Sequence, residues 1–257
     1  MDEAIHIPEP VSRCLPKTPY IVDDIGCSGS TILLYSDVVL KIQPISEESQ
    51  RERIMMDWLR GRLPVPKLLA WAEEKGLQYL LMNRISGEMS CSPSALRSPK
   101  KTVELLAQGL KMLWSVDISD CPVVNNLDVK LQESGERVRQ GLVSVEDAEP
   151  DTYGPGRFSH PQALHEYLRN NRSQEELCLA HGDYCLPNIF FQGAGVSGFI
   201  DLGRSGIADR WQDIALCVRS LKYNFGGVDY SRWLFEALEV EPDMDKIRYF
   251  ILLDELF

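Results

Sequence analysis

The stretch that most constrains this chain runs from Leu179 to Gly206. It opens Leu179-Ala-His-Gly-Asp-Tyr-Cys-Leu-Pro-Asn-Ile-Phe-Phe, turns at Gly193-Ala-Gly, and resumes Val196-Ser-Gly-Phe-Ile-Asp-Leu-Gly-Arg-Ser-Gly. Asn188 follows Asp183 by five positions, and Asp201 follows Asn188 by thirteen. The apolar runs on either side of the turn read as a hairpin, and a hairpin carries Asn188 and Asp201 back to the same end. Two carboxylates and an amide gathered in this way are what phosphoryl transfer requires. One carboxylate orients the attacking hydroxyl, while the amide oxygen and the second carboxylate hold Mg²⁺ against nucleotide phosphates. The plain alternative, an Asp-rich loop whose carboxylates cap turns, leaves the spacing without a reason.

The same skeleton occurs in protein kinases, where H-R-D precedes an Asn by five residues and D-F-G follows on the next hairpin. Here Gly182 stands for the Arg and Leu202 for the Phe. Such a site also needs a strand lysine for the α- and β-phosphates. Lys41 lies in the apolar run Val38–Ile42 and fits that role. Its partner should be a carboxylate on the following helix, Ser46 to Arg60, whose apolar stripe is Ile54, Met55, Trp58 and Leu59. Glu52 lies one turn into the stripe and can face inward; Glu47 and Glu48 fall in the first, solvated turn. Gly26-Cys-Ser-Gly-Ser, which lacks the full G-x-G-x-x-G, reads equally as an ordinary turn or as a small-residue loop able to bring backbone N–H groups to a phosphate. His181 reads as a structural residue holding the turn, not as a base.

Composition narrows the partners. The 257-residue chain carries 27 Lys and Arg against 38 Asp and Glu, a net charge of −11. That disfavours nucleic acid or an anionic membrane surface; it suits a cationic small molecule, and equally plain colloidal solubility. Seven cysteines, an odd number without C-x-x-C, suggest neither a disulfide framework nor a zinc site. Cys185, inside the loop, reads as a passive filler open to alkylation. No secretion signal or membrane-spanning run is visible, so a cytoplasmic location is expected.

Along the chain, the first 84 residues are strand-rich. Hairpins are expected around Ser36-Asp37 and at Glu73-Glu-Lys-Gly, the latter joining strands Lys67–Trp71 and Leu77–Met82. From Met82 to Gly87 the periodicity lapses, leaving main chain that could pair with an adenine edge. Helical patterns follow from Ser98-Pro99, where Pro takes the first helical position, then at Leu127–Leu142, Pro161–Asn170, Asp209–Leu221, Asp229–Leu238 and Asp243–Phe257. Residues 146–158 form an acidic and then Gly/Pro-rich loop. The expectation is an α+β, protein-kinase-like fold of two lobes: residues 1–84, small and β-rich, for the nucleotide, and 85–257, larger and mainly helical, for catalysis and substrate.

With these residues in view, the chain resembles the aminoglycoside 3′-phosphotransferases, antibiotic-resistance kinases of the kanamycin-kinase type. The resemblance spans nearly the whole length. It is tightest over His181–Leu221, with Asp213-Ile-Ala and Val218-Arg-Ser, and at Tyr249-Phe-Ile-Leu-Leu-Asp-Glu-Leu-Phe257; Leu63-Pro-Val-Pro-Lys and Asp117-Ile-Ser-Asp-Cys-Pro match too. It implies ATP (or GTP) and Mg²⁺, with Asp183 catalytic and Asn188 and Asp201 on the metal. Ser28, Lys41, Glu52 and Met82 would serve the nucleotide. Glu146, Glu149, Arg204, Glu255 and the terminal Phe257 would serve a polycationic sugar. Two departures stand out: Lys222-Tyr-Asn replaces an acidic pair that meets substrate amines, and Val39 replaces an aromatic that stacks on adenine. The rival readings are a choline, macrolide or other sugar kinase, a protein kinase, and a non-catalytic pseudokinase. The Glu255-Leu-Phe257 terminus argues against the first. The lack of room after Asp201 for a segment ending in A-P-E disfavours the second, and the intact Lys41, Asp183, Asn188 and Asp201 the third.

Overall fold

The computed structural model describes residues 5–23 and 29–257. A short helix, α1 (Glu9–Ser12), precedes strands β1 (Ile21–Asp23), β2 (Thr31–Leu34) and β3 (Val38–Pro44), the helix α2 (Glu47–Leu59), and strands β4 (Leu68–Glu74) and β5 (Leu77–Asn83). The five strands form one antiparallel sheet in the order β1-β2-β3-β5-β4. Strand residues alternate between faces, and on β2, β3 and β5 this alternation divides the sheet by function. Leu33, Leu40, Ile42, Tyr79 and Leu81 point to one side, where they pack with Val11 of α1 in a small separate core. Ile32, Val39, Lys41 and Met82 point to the other side and line a cleft. The lysine therefore faces the cleft because its apolar neighbours on β3 fill the outer core. The β4–β5 turn is tighter than the four residues expected. It is confined to Lys75 and Gly76, both at positive φ (52° and 80°), as in the two-residue turns that suit strand twist.

Beyond β5 the chain is mainly helical. It runs through β6 (Glu88–Met89), α3 (Pro93–Leu96), α4 (Pro99–Trp114), α5 (Leu127–Gln140), α6 (Pro161–Asn170), β7 (Leu177–Ala180), the hairpin β8 (Ile189–Gln192) and β9 (Gly195–Phe199), β10 (Gly206–Asp209), α7 (Arg210–Asn224), α8 (Ser231–Leu238) and α9 (Met244–Asp254). The expected helices are all present; α5 ends where Gly141 turns left-handed at φ 68°. Five short elements carry no periodicity long enough to read from sequence: α1, α3, β6 and the paired strands β7 and β10. One apolar cluster joins the lobes. Met55, Met56 and Leu59 of α2 pack in the same core as Leu106 and Leu110 of α4 and Ile214 of α7. Among the described residues no helix is long and apolar enough to cross a membrane.

α2 is fixed at its start by a reciprocal serine cap. Ser46 Oγ accepts from Ser49 N–H (3.1 Å), and Ser49 Oγ accepts from Ser46 N–H (2.8 Å). That sets the helix phase so that Ser49, Glu52, Met55, Met56 and Leu59 turn inward.

Candidate active site

β7 delivers the chain into the loop His181–Cys185, and a 3-10 turn, Leu186–Asn188, returns it to β8. The loop is held from below by Asp213 on α7. This carboxylate is fully buried and accepts from the N–H groups of His181 (2.6 Å) and Gly182 (2.9 Å). Gln212 of the same helix donates to Gly182 O. His181 Nδ1 accepts from Asp183 N–H (3.3 Å), so its proton sits on Nε2 and is donated to Ile200 O (2.9 Å). The ring bolts the loop to the segment after β9 that carries Asp201, in agreement with its structural reading. Gly182 has φ +84°, and a Cβ there would overlap the carbonyl of Arg204. Tyr184 packs under the loop, donating its hydroxyl to Leu106 O of α4 (2.8 Å).

Asp183 and Asn188 meet as the spacing predicts. Asn188 Nδ2 donates to Asp183 Oδ2 (2.9 Å) and to the Asp183 carbonyl (3.0 Å). The Cys185 thiol donates to Asp183 Oδ1 (3.0 Å), so this cysteine is not the passive filler expected from sequence. Burial, together with the neighbouring Asp183 charge, pushes its pKa up.

Asp201 takes a left-handed backbone (φ 61°) before the turn Leu202–Arg204, a conformation Asp tolerates better than most residues. Its Oδ1 accepts from Lys41 Nζ (2.9 Å), and the same ammonium donates to both oxygens of Glu52 (2.9 Å each). Gln43 adds a bond to Glu52 Oε2 (2.8 Å). Burial opposes the charge on Lys41, yet the two carboxylates outweigh it and raise its pKa above that of a free lysine. Burial likewise works against the Asp201 carboxylate, and Lys41 holds it below its usual value. Burial pushes Glu52 the other way, upward, against the pull of Lys41. The ammonium is thus the firm charge of the triad, and Glu52 the member that burial destabilises.

The cleft beside this triad has a volume of about 380 Å³ and is lined by Val39, Met82, Asn188 and Asp201, among others. Of the main chain after Met82, two amides are already committed: Asn83 N–H to Lys67 O and Arg84 N–H to Asp37 O. Ile85 N–H makes no hydrogen bond among the described residues. Ser28 and its small-residue loop, Gly26 to Ser28, lie outside the described residues.

The residues expected to meet substrate separate into two groups. Glu149 N–H donates to both oxygens of Glu255 (3.2 Å each), which fastens the acidic loop to the end of α9. Burial pushes the Glu255 carboxyl up, against this amide and Arg219. Glu146 is exposed and has no hydrogen bond or ion pair among the described residues. Arg204 pairs with Glu48 (3.3 Å) and Asp254 (3.3 Å), and Asp254 also pairs with Arg219. Glu48 is therefore not merely solvated, as its place in the first turn of α2 suggested. It ties that helix to the turn after Asp201, and Gly203 permits the approach, since a Cβ there would meet Glu48 Cγ at 2.7 Å. Arg137 donates to the carbonyl oxygens of Leu256 (2.9 Å) and Phe257. The Phe257 ring lies 4.9 Å from Lys130 Nζ and 5.9 Å from the Arg204 guanidinium. Lys222 and Tyr223, where an acidic pair was anticipated, are exposed.

Three contributors escaped sequence reasoning. Asp213 was legible only as part of a family-like run, Lys130 carried no signal, and Tyr153 sits in the acidic loop. The Tyr153 hydroxyl is buried without a hydrogen-bond partner among the described residues, and burial with Glu255 pushes its pKa up to about 12.

Comparison with known proteins agrees with this geometry. The model of the family described as "Phosphotransferase enzyme family" matches residues 23–250. The chain belongs to that family. An aminoglycoside 3′-phosphotransferase of Staphylococcus aureus is 43% identical over 95% of this chain and 94% of its own length. One of Enterococcus faecalis is 44% identical over 81% of this chain and 78% of its own. Among solved structures, an aminoglycoside-3′-phosphotransferase of type VIII superposes with a TM-score of 0.80 at 24% identity, covering 95% of this chain and 96% of that one. At that identity the superposition speaks for the fold, the two-lobed, protein-kinase-like architecture anticipated from the sequence.

Proposed function

We propose that the chain is an aminoglycoside 3′-phosphotransferase. It transfers the γ-phosphoryl group of ATP to the 3′-hydroxyl of kanamycin- and neomycin-type aminoglycosides and so confers resistance to them, acting in the cytoplasm. The observation that carries this reading is the cleft lined by Lys41, Glu52, Asn188 and Asp201, with Asp183 bonded to Asn188 and Lys41 paired with both Glu52 and Asp201. The relatives' shared name and their coverage of the chain support the substrate class. In this reading residues 1–84 form the nucleotide-binding lobe and 85–257 the catalytic and aminoglycoside-binding lobe.

The donor set fits Mg²⁺. Asn188 spends its amide nitrogen on Asp183, which leaves Oδ1 for a hard cation, and Asp201 bonds Lys41 through Oδ1 alone among the described residues. No cluster of three or more His, Cys, Asp or Glu side chains suited to a metal occurs among those residues. A cation held by one carboxylate, one amide oxygen, water and the nucleotide's own phosphates needs none. Held by Asn188 and Asp201, Mg²⁺ would offset the charge on the nucleotide phosphates.

The chain's own groups do the rest. Lys41, kept charged and aimed by Glu52, meets the α- and β-phosphates, and Ser28 serves the loop above them. Met82 and the free Ile85 N–H border the base. Asp183 receives the sugar hydroxyl, orients it in line with the γ-phosphorus, and takes its proton late, because a loose transition state asks little of a base. Glu255, Glu149, Glu146 and the carboxylate of Phe257 face the ammonium groups of the drug, with Arg204 helping shape the pocket. Mass spectrometry and phosphorus NMR of the product made from kanamycin and Mg·ATP test the reading. It predicts a single added phosphate coupled to the 3′ proton; phosphate at another position, or none, overturns it.

A further inference from the structure

The Cys185 thiol touches the Asp183 carboxylate, and no step of the mechanism above gives that contact a role. Its sulfur lies 3.0 Å from Asp183 Oδ1. The main chain fixes that approach. Cys185 N–H donates to Asp183 O (2.8 Å), Asn188 N–H donates to Cys185 O (3.0 Å), and the next amide, Leu186 N–H, is held by Ser220 Oγ of α7 (2.9 Å). Each carboxylate oxygen offers two acceptor positions. Asn188 takes one on Oδ2 and Cys185 one on Oδ1, so a lone pair on each remains for an incoming hydroxyl. Two donors on opposite oxygens fix the plane of a carboxylate, where one leaves it free to swing about χ2.

We propose that Cys185 is a positioning residue for Asp183, its thiol locking the rotation of the carboxylate so that it meets the substrate hydroxyl in line. The surroundings keep the sulfur a donor. Burial, the Asp183 charge and the bond to it all favour S–H over thiolate, with Arg219 of α7 pulling the other way and Asp254 of α9 adding to the rise. The inference rests on the phosphotransferase reading for its kinetic consequence, but the contact itself can be seen without turnover.

Two measurements on the purified full chain test it. In steady-state kinetics with Mg·ATP and kanamycin, Cys185→Ala should lower kcat about 10-fold with both KM values and the melting temperature nearly unchanged, and Cys185→Ser, which restores a donor, should recover most of the loss. In infrared spectra, the wild type minus Cys185→Ser difference isolates the S–H stretching band of this thiol. That band should lie at the low frequency of a hydrogen-bonded thiol and move up in Asp183→Ala. A wild-type kcat in Cys185→Ala, a loss that serine fails to recover, or a band indifferent to Asp183 would overturn the proposal. An absence of kanamycin turnover in the wild type, with the band shifting as stated, would instead refute the substrate reading and leave the contact standing.

Discussion

At the scale of single residues, the site separates groups whose charge is secured from groups whose charge is costly. Asp183 keeps two donors and a solvent-facing approach, so its removal should affect chemistry more than binding. Asp183→Asn should lower kcat about 10²–10⁴-fold while the KM for ATP stays near wild type, read from initial rates. Lys130 is the opposite case. It is buried on α5 with no ion pair among the described residues, and burial first, then the Arg204 charge, lowers its pKa from 10.5 to about 8. The folded chain therefore releases this proton before the unfolded chain does. The cost of the buried charge is fully present below about pH 8 and is relieved as pH rises toward the unfolded value near 10.5. Lys130→Met should accordingly stabilise the protein at pH 7 by on the order of 1–3 kcal/mol, with the gain shrinking by pH 10, as paired urea titrations would show. Legibility in the sequence divides the same way. Asp183, Asn188 and Asp201 are readable because chemistry fixes their spacing, and Glu52 because helical periodicity turns it inward. Lys130 and Asp213 depend on segments distant in sequence, and no local pattern records them; the Cys185 contact spans only two residues but follows from the path of the loop, which composition does not record.

At the scale of elements, the catalytic loop is precise because helices clamp it from two sides. α7 supplies Asp213 and Gln212 to its main chain. α4 receives Tyr184, and it can do so because residue 109 is glycine: a Cβ there would collide with the Tyr184 hydroxyl. Gly109→Ala is expected to cost about 1–3 kcal/mol of stability through overpacking. Because Tyr184 adjoins Asp183, kcat should fall along with it; thermal melts and initial rates on the same preparation check both. The helices were legible as elements because their stripes are long, as in Val103, Leu106, Leu110 and Leu113 on α4. Their docking was not, since Gly109 looks in sequence like an ordinary helical blemish. The strands β7 and β10 that frame the loop were too short to show a period.

At the scale of the whole molecule, charge and architecture act together. The net charge of −11 favours a polycation. Affinity for kanamycin should weaken as salt rises from about 0.05 to 0.5 M, since screening shortens the reach of exposed carboxylates; KM measured across that range tests it. The two lobes are joined by a shared core and by the ionic strap Glu48–Arg204–Asp254–Arg219, which runs from α2 through the turn after Asp201 to α9 and α7. The two-lobe plan was readable from a strand-rich start giving way to helical patterns. The strap was not, because its members lie up to some two hundred residues apart: Glu48 reads singly as a solvated first-turn charge, and Arg204 only as part of the substrate pocket.

The central claim is that this cleft passes phosphate to one particular hydroxyl. The most direct test is ADP release by the purified protein with Mg·ATP and kanamycin, compared with an aminoglycoside that lacks the 3′-hydroxyl. Rapid release with kanamycin and none above background with the 3′-deoxy compound is the predicted result. Equal release with both, or release with neither, would contradict it.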